Sequence, residues 1–247
     1  MMYNLTMNIK MDLHTHTLAS GHHTFDTVTD LAKQANLRGI EYLGITDHAP
    51  KMQGTASENY FRNLRYANKS VCNVKMLYGV ELNVLNQKGE IDLSNEILSG
   101  LDFAIASLHN QTFKPKSEEE NTIALLNAMN NPYVLTIGHP DDPLYKINVK
   151  KLVDGAKATN TALEISSVGI SPNGYRGYGI RRLIEMILEC KKKEVFVTLG
   201  SDSHGRENVG NFKNTLKVLE LTDFPKELVL NANPELFFEL VKTKRNH

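Results

Sequence analysis

Met11-Asp12-Leu13-His14-Thr15-His16-Thr17 is the stretch on which the reading of this chain turns. A short apolar run leads into two histidines at i and i+2, and on a β-strand alternate side chains leave by the same face. Two imidazoles side by side at a strand end form part of a metal clamp. A pair of this kind also arises on any wet edge strand, so its meaning depends on what the rest of the chain supplies.

Working outward, the chain repeats the theme. Compact β runs over residues 42–46, 75–80, 103–108, 134–138, 162–166 and 195–201 follow the opening strand. Helical periodicities over residues 27–36, 117–130, 149–159 and 180–191 alternate with them. A helix is also expected from Ser57, and two more over 212–220 and 234–242 close the chain. Strands alternating with helices imply parallel pairing through right-handed crossovers. Seven such units without a glycine-rich dinucleotide fingerprint predict an α/β fold. The form expected is a closed or nearly closed, TIM-like (β/α) barrel formed by residues 1–247 as one domain.

Six of the seven strands end in His, Asp or Glu, and a (β/α) barrel gathers those ends on one face. Five strand ends carry six of the nine histidines: His14 with His16, then His48, His109, His139 and His204. Any one of these reads most simply as a turn or capping residue, but six so placed point to a metal site. Nitrogen-rich ligands with a few carboxylates suit zinc, manganese or iron better than magnesium or calcium. His109, His139 and the His14–His16 pair can hold two ions bridged by Glu81, and the remaining histidines suffice for a third.

Composition narrows the function further. Lys plus Arg and Asp plus Glu both number 28, so no net field draws the protein to long nucleic acid or to an anionic membrane. Cys72 and Cys190 form no CxxC and read as free thiols of a reducing compartment. The first ten residues lack a signal pattern and no apolar run reaches membrane-spanning length, so the cytoplasm is expected.

Seven ordered motifs resemble those of the PHP (polymerase and histidinol phosphatase) family, above all its small stand-alone bacterial phosphatases with three metals. They are Asp12-Leu13-His14-Thr15-His16-Thr17, Ser20-Gly21-His22, Thr46-Asp47-His48, Gly79-Val80-Glu81, Ser107-Leu108-His109, Gly138-His139-Pro140 and Gly200-Ser201-Asp202-Ser203-His204. The resemblance implies a distorted seven-stranded (β/α) barrel and a first metal held by His14, His16, Glu81 and Asp202. Glu81 would bridge to a second metal on His109 and His139, and His22, His48 and His204 would hold the third. At Gly21-His22-His23-Thr24 the preceding Ser-Gly favours His22, while the spacing to Thr27 permits His23.

The implied activity is hydrolysis of a small phosphorylated metabolite, most simply a phosphomonoester. A metal-bridging hydroxide would attack phosphorus while the ions take up charge on the other oxygens. Asp202, His204, Arg176 and Arg206 are the expected catalytic residues. The two arginines are candidates for a bidentate phosphate fork, against the plain reading of solvated loop charges. Asp47 reads either as a support for a ligand ring or as a capping residue, and Glu164 as facing either pocket or core. Lys191-Lys192-Lys193 complements a helix dipole. The rival readings are an amidohydrolase-type metal hydrolase, a nuclease acting on a short substrate or a nucleotide, and a non-catalytic metal-stabilised scaffold that binds a partner.

Overall fold

Val134–Ile137 and Ala162–Ser166 are buried at every position, as parallel strands covered on both faces must be. The computed structural model describes residues 7–170 and 179–246. Its first sheet runs β1-β2-β4-β3, from β1 (Met11–Asp12), β2 (Tyr42–Ile45), β3 (Ser70–Val71) and β4 (Val74–Tyr78). The second takes its strands in chain order: β5 (Glu81–Asn83), β6 (Ala104–Ser107), β7 (Val134–Ile137), β8 (Ala162–Ser166) and β9 (Val197–Gly200). Every pairing is parallel except the β3–β4 hairpin, whose turn residues Cys72 and Asn73 both take positive φ.

The helices are α1 (Val28–Leu37), α2 (Glu58–Asn63), α3 (Asn95–Leu98), α4 (Glu118–Ala128), α5 (Val149–Ala158), α6 (Ser167–Ile170), α7 (Ile180–Lys193), α8 (Lys213–Leu221) and α9 (Pro234–Arg245). Capping boxes start α1, through Thr27 and Asp30, and α4, through Ser117 and Glu120. Helices cover the strands over one large apolar cluster, while a second cluster joins Met11, Leu13, Phe103, Ile105 and Leu135 to Phe237 of α9. Near the end of α9 the buried Lys244 ammonium donates to the carbonyls of Met129 (2.9 Å) and Thr159 (2.8 Å) and to Thr161 Oγ1 (2.8 Å). Met129 and Thr159 cap α4 and α5, so one cation faces the negative ends of two helix dipoles.

Parallel α/β architecture is as expected, but hydrogen bonding among the described residues gives two sheets of four and five strands, not one closed seven-stranded ladder. Two local features account for the difference. The run expected to end on Glu81 breaks at Gly79-Val80: β4 stays with β2, and the chain resumes as β5 beside β6. It crosses on a glycine because a Cβ on Gly79 would lie 2.8 Å from the Phe103 carbonyl oxygen. At the other seam, β1 and β9 meet through the isolated bridge Thr15–Ser203, and side chains stitch the edges together. The Asn231 amide donates to the carbonyls of Met11 (2.9 Å) and Leu199 (2.8 Å) and accepts the Leu199 N–H (2.6 Å). The Asp12 carboxylate accepts the N–H of Ser201 (3.3 Å) and of Gly210 (2.7 Å). A second isolated bridge, His48–Glu81, joins the sheets where the strand run divides.

Candidate metal centre

Strand ends from both sheets deliver their polar residues to one buried spot. His14 and His16 follow β1, His48 follows β2, Glu81 opens β5, and His109, His139, Asp202 and His204 follow β6, β7 and β9. Glu81 sits in the middle. Its Oε1 lies 3.1 Å from His109 Nε2 and 2.9 Å from His139 Nε2, while Oε2 lies 2.7 Å from His48 Nδ1, 3.4 Å from His14 Nε2 and 3.5 Å from His16 Nε2. Asp202 Oδ1 is 3.2 Å from His16 Nε2 and 3.7 Å from both His14 Nε2 and His204 Nδ1.

Among the described residues, three overlapping groups could hold a cation: His14, His16 and Glu81; His48, Glu81 and His109; and His16, His48 and His204. His14 Nε2, His16 Nε2, His48 Nδ1 and Glu81 Oε2 are buried and make no hydrogen bond. Buried ligand atoms that converge without hydrogen bonds are costly, and a cation would satisfy them, so the donor set fits a soft or borderline divalent metal.

The opposite side of several rings is anchored. His14 Nδ1 donates to Glu164 Oε1 at 2.6 Å, and Glu164 Oε2 accepts the His139 backbone N–H at 2.7 Å. His16 Nδ1 donates to Ser20 Oγ (2.9 Å), whose hydroxyl donates to Asp47 Oδ1 (2.7 Å). Asp47 also accepts from the Thr17 N–H (2.7 Å), the Thr17 hydroxyl (2.9 Å) and the Tyr60 hydroxyl (2.7 Å). His109 Nδ1 donates to Asn83 Oδ1 at 2.7 Å, and His22 Nδ1 to the Ser20 carbonyl at 2.9 Å. Each of these bonds fixes a tautomer with its Nε2 lone pair free to ligate. Two residues at the site, His139 (φ 30°) and Asp202 (φ 49°), are held in the left-handed region, a strain of about 1–3 kcal/mol each.

Electrostatics favour neutral rings around an ionised bridge. Burial, reinforced by the neighbouring rings of His204 and His48, holds His16 well below the usual imidazole range. Burial likewise pushes His109 and His204 down to about 4. Glu81 is buried too, which opposes its ionisation, yet His109, His14 and His48 together hold it well below the usual carboxylate range. His14 is the exception: burial disfavours its charge, but Glu164, Glu81 and Asp202 more than offset this and keep it well above 6.5. The surroundings of His16, His109 and His204 thus favour neutral rings, and those of Glu81 an ionised carboxylate, which suits ligation of a cation.

The structure brings most of the expected ligands together. His16 as well as His22 neighbours His48 and His204, and His16 forms a close group with that pair. His22 lies close by, its ring stacked on His48 at 4.9 Å and tilted against His204 at 5.1 Å, whereas the exposed His23 meets His22 and His204 edge-on. Glu164 faces the site, and Asp47 supports a ring through Ser20. Arg206 is engaged elsewhere: its Nη2 pairs with Asp26 at 2.9 Å, Nη1 lies 3.5 Å from Asp30, and its backbone N–H bonds Asp26 at 2.7 Å. Arg176 lies outside the described residues. Beside His22, His109 and His204 opens a cavity of about 590 Å³ whose other wall includes Met52, Gln111 and Tyr145.

Three supporting residues escaped the sequence reading. Asp12, pushed up to about 6 by burial against the pull of its Ser201 and Gly210 hydrogen bonds, left only its spacing of two from His14 as a signal. Asn83 and Asp92, behind His109, left none, because they meet only through a chain reversal.

A family model described as the PHP domain matches residues 12–175. A protein of Clostridium novyi named "Probable phosphatase" is 40% identical over 238 residues, covering 96% of each chain. Another of that name from Acetivibrio thermocellus is 39% identical over 239 residues, covering 97% of this chain and 98% of its own. Among solved structures, a histidinol phosphate phosphatase of Lactococcus lactis, complexed with zinc, L-histidinol and phosphate, superposes with a TM-score of 0.59. The identity is 17%, over 87% of this chain and 94% of that one, which speaks to the shared fold.

Proposed function

The chain belongs to the PHP domain family, and from that premise we propose that it is a metal-dependent phosphomonoesterase acting on a small phosphorylated metabolite. The observation that carries this reading is Glu81: one buried carboxylate offers Oε1 to one pair of imidazoles and Oε2 to a second set. That is the geometry of a bridge between two cations. The assignment we favour is His14, His16, Glu81 and Asp202 for the first ion and Glu81, His109 and His139 for the second. His48 and His204 would hold the third, completed by His22 or by a shared His16. Zinc suits the donor set best, with manganese and iron as alternatives.

Bound ions would supply Lewis acidity and lower the pKa of a coordinated water to about 7. The chain's own residues do the rest. Glu164, Ser20 and Asn83 hold ring protons on the side away from the centre, so that the ring nitrogens facing it are the ones available to a cation. The cavity beside His22 and His204 receives the alcohol portion of the ester, leaving the phosphate to face the cluster. The two bridged sheets are read as a distorted barrel of one domain, and the two thiols as those of a cytoplasmic protein.

A panel of phosphomonoesters, phosphodiesters, lactones and amides tests the proposal. Phosphomonoester turnover should disappear on chelation, return with zinc or manganese, and be absent from Glu81→Ala. Preferred turnover of lactones or amides would favour the amidohydrolase reading instead. A chelated protein that loses only thermal stability, with no turnover before chelation, would favour the scaffold.

A further inference from the structure

Behind His109 lies a relay that begins in a turn far from any strand end. Val84 and Ile91 form an isolated antiparallel bridge, closed by the Leu85 N–H on the Glu90 carbonyl at 2.8 Å, and this register sets Asn83 opposite Asp92. Both residues are buried, and the Asp92 carboxylate is fully engaged. Its Oδ1 accepts the Asn83 backbone N–H at 2.8 Å, while Oδ2 accepts Asn83 Nδ2 at 2.7 Å and the Lys51 backbone N–H at 3.0 Å. Asn83 Nδ2 also donates to the Ala49 carbonyl at 3.3 Å. With its NH₂ committed to two acceptors, the amide can turn only its oxygen toward His109 Nδ1.

We infer that Asp92 is a positioning residue for the second metal: by fixing the amide orientation of Asn83 it fixes the Nδ1–H tautomer of His109 and leaves Nε2 as the ligand atom. An ionised carboxylate accepts at both oxygens, so no alternative network satisfies Asp92. An asparagine at 92 would turn an NH₂ toward Asn83, permit that amide to flip, and bring an NH₂ against His109. The ring would then carry its proton on Nε2, where a metal cannot bind. This rests on reading His109 as a ligand.

The test uses the full chain stripped of metal and titrated with Zn²⁺, in wild type, Asp92→Asn, Asn83→Asp and the reciprocal double variant. Asp92→Asn should weaken one zinc equivalent about 10–100-fold through the tautomer, and Asn83→Asp should weaken it by setting a carboxylate oxygen where Nδ2 now lies 2.7 Å from Asp92 Oδ2, a repulsion that drives the side chain out of place beneath His109. The double variant should regain part of it, because a carboxylate at 83 again accepts from His109 while an amide at 92 donates to it, at the cost of the Lys51 and Ala49 bonds. Long-range ¹H–¹⁵N spectra of metal-free protein should show His109 as the Nδ1–H tautomer in wild type and the double variant, and displaced from it in Asp92→Asn. Wild-type zinc affinity in both single variants, or a double variant no better than either, overturns the inference and leaves the proposed function standing. A wild type that binds no zinc overturns both. If Asp92→Asn does not fold, the comparison of Asn83→Asp with the double variant still decides.

Discussion

Glu164 Oε1 accepts the Nδ1 proton of His14 at 2.6 Å, with both side chains buried. The pair spans the two sheets, since His14 leaves β1 and Glu164 lies in β8. Replacing Glu164 by Ala leaves two buried donors, the His14 ring N–H and the His139 backbone N–H, without acceptors. The variant should lose about 1–3 kcal/mol of stability and bind zinc about 10–100-fold more weakly. Denaturant unfolding and zinc titration read the two effects separately, and unchanged zinc affinity would show that Glu164 does not orient the ring.

Gly200 makes room for that contact. A Cβ there would stand 1.8 Å from Glu164 Oε1 and 2.9 Å from His14 Cβ. Gly200→Ala should therefore cost about 1–3 kcal/mol by overpacking and depress turnover through His14. Combined with Glu164→Ala, which vacates the space, its stability penalty should shrink. Strict additivity in a double-mutant cycle would place the strain elsewhere.

Metal removal should lower the melting temperature as well as abolish turnover. A ligand present at about 100 times its Kd stabilises a folded protein by about 2.7 kcal/mol per site, and each kcal/mol is about 2–4 °C in a chain of this size. Melting curves with chelator, and after restoring zinc, should differ by several degrees and depend on free zinc concentration. Coincident curves would mean that the histidine cluster binds no ion in solution.

The two thiols should behave differently. Cys190 is buried in α7 and burial pushes its thiol up to about 12 from 9.0, whereas Cys72 is partly exposed in the β3–β4 turn. Alkylation of native protein near pH 8 should reach Cys72 only. Because the folded state holds the Cys190 proton above the pH at which the unfolded chain releases it, its contribution to stability is complete below about pH 9. That contribution is lost as pH rises toward 12. The stability difference between wild type and Cys190→Ala should accordingly stay level up to pH 9 and narrow above it.

What could be read from the chain and what could not divide along a physical line. His14, His48, His109, His139 and Asp202 were legible because a strand end is a local pattern, and parallel strands carry such ends to one face whatever lies between. The division of the Glu81 run was not legible, since Gly79 is required by a carbonyl of Phe103, a residue remote in sequence. The engagement of Arg206 was hidden for the same reason: Asp26 and Asp30 approach it from α1 and the loop before it. Glu164 could be placed in a strand, but which face it takes depends on a β8–β9 register that its own sequence does not specify.

The seam between β1 and β9, stitched by Asp12, Asn231 and one bridge, carries the first cluster across it: His14 and His16 stand near one end of the chain, Asp202 near the other. A chain emerging during synthesis thus exposes its opening histidines long before their carboxylate partner exists. The full donor set is assembled only where β9 meets β1, so a chain lacking β9 would lack the Asp202 and His204 donors.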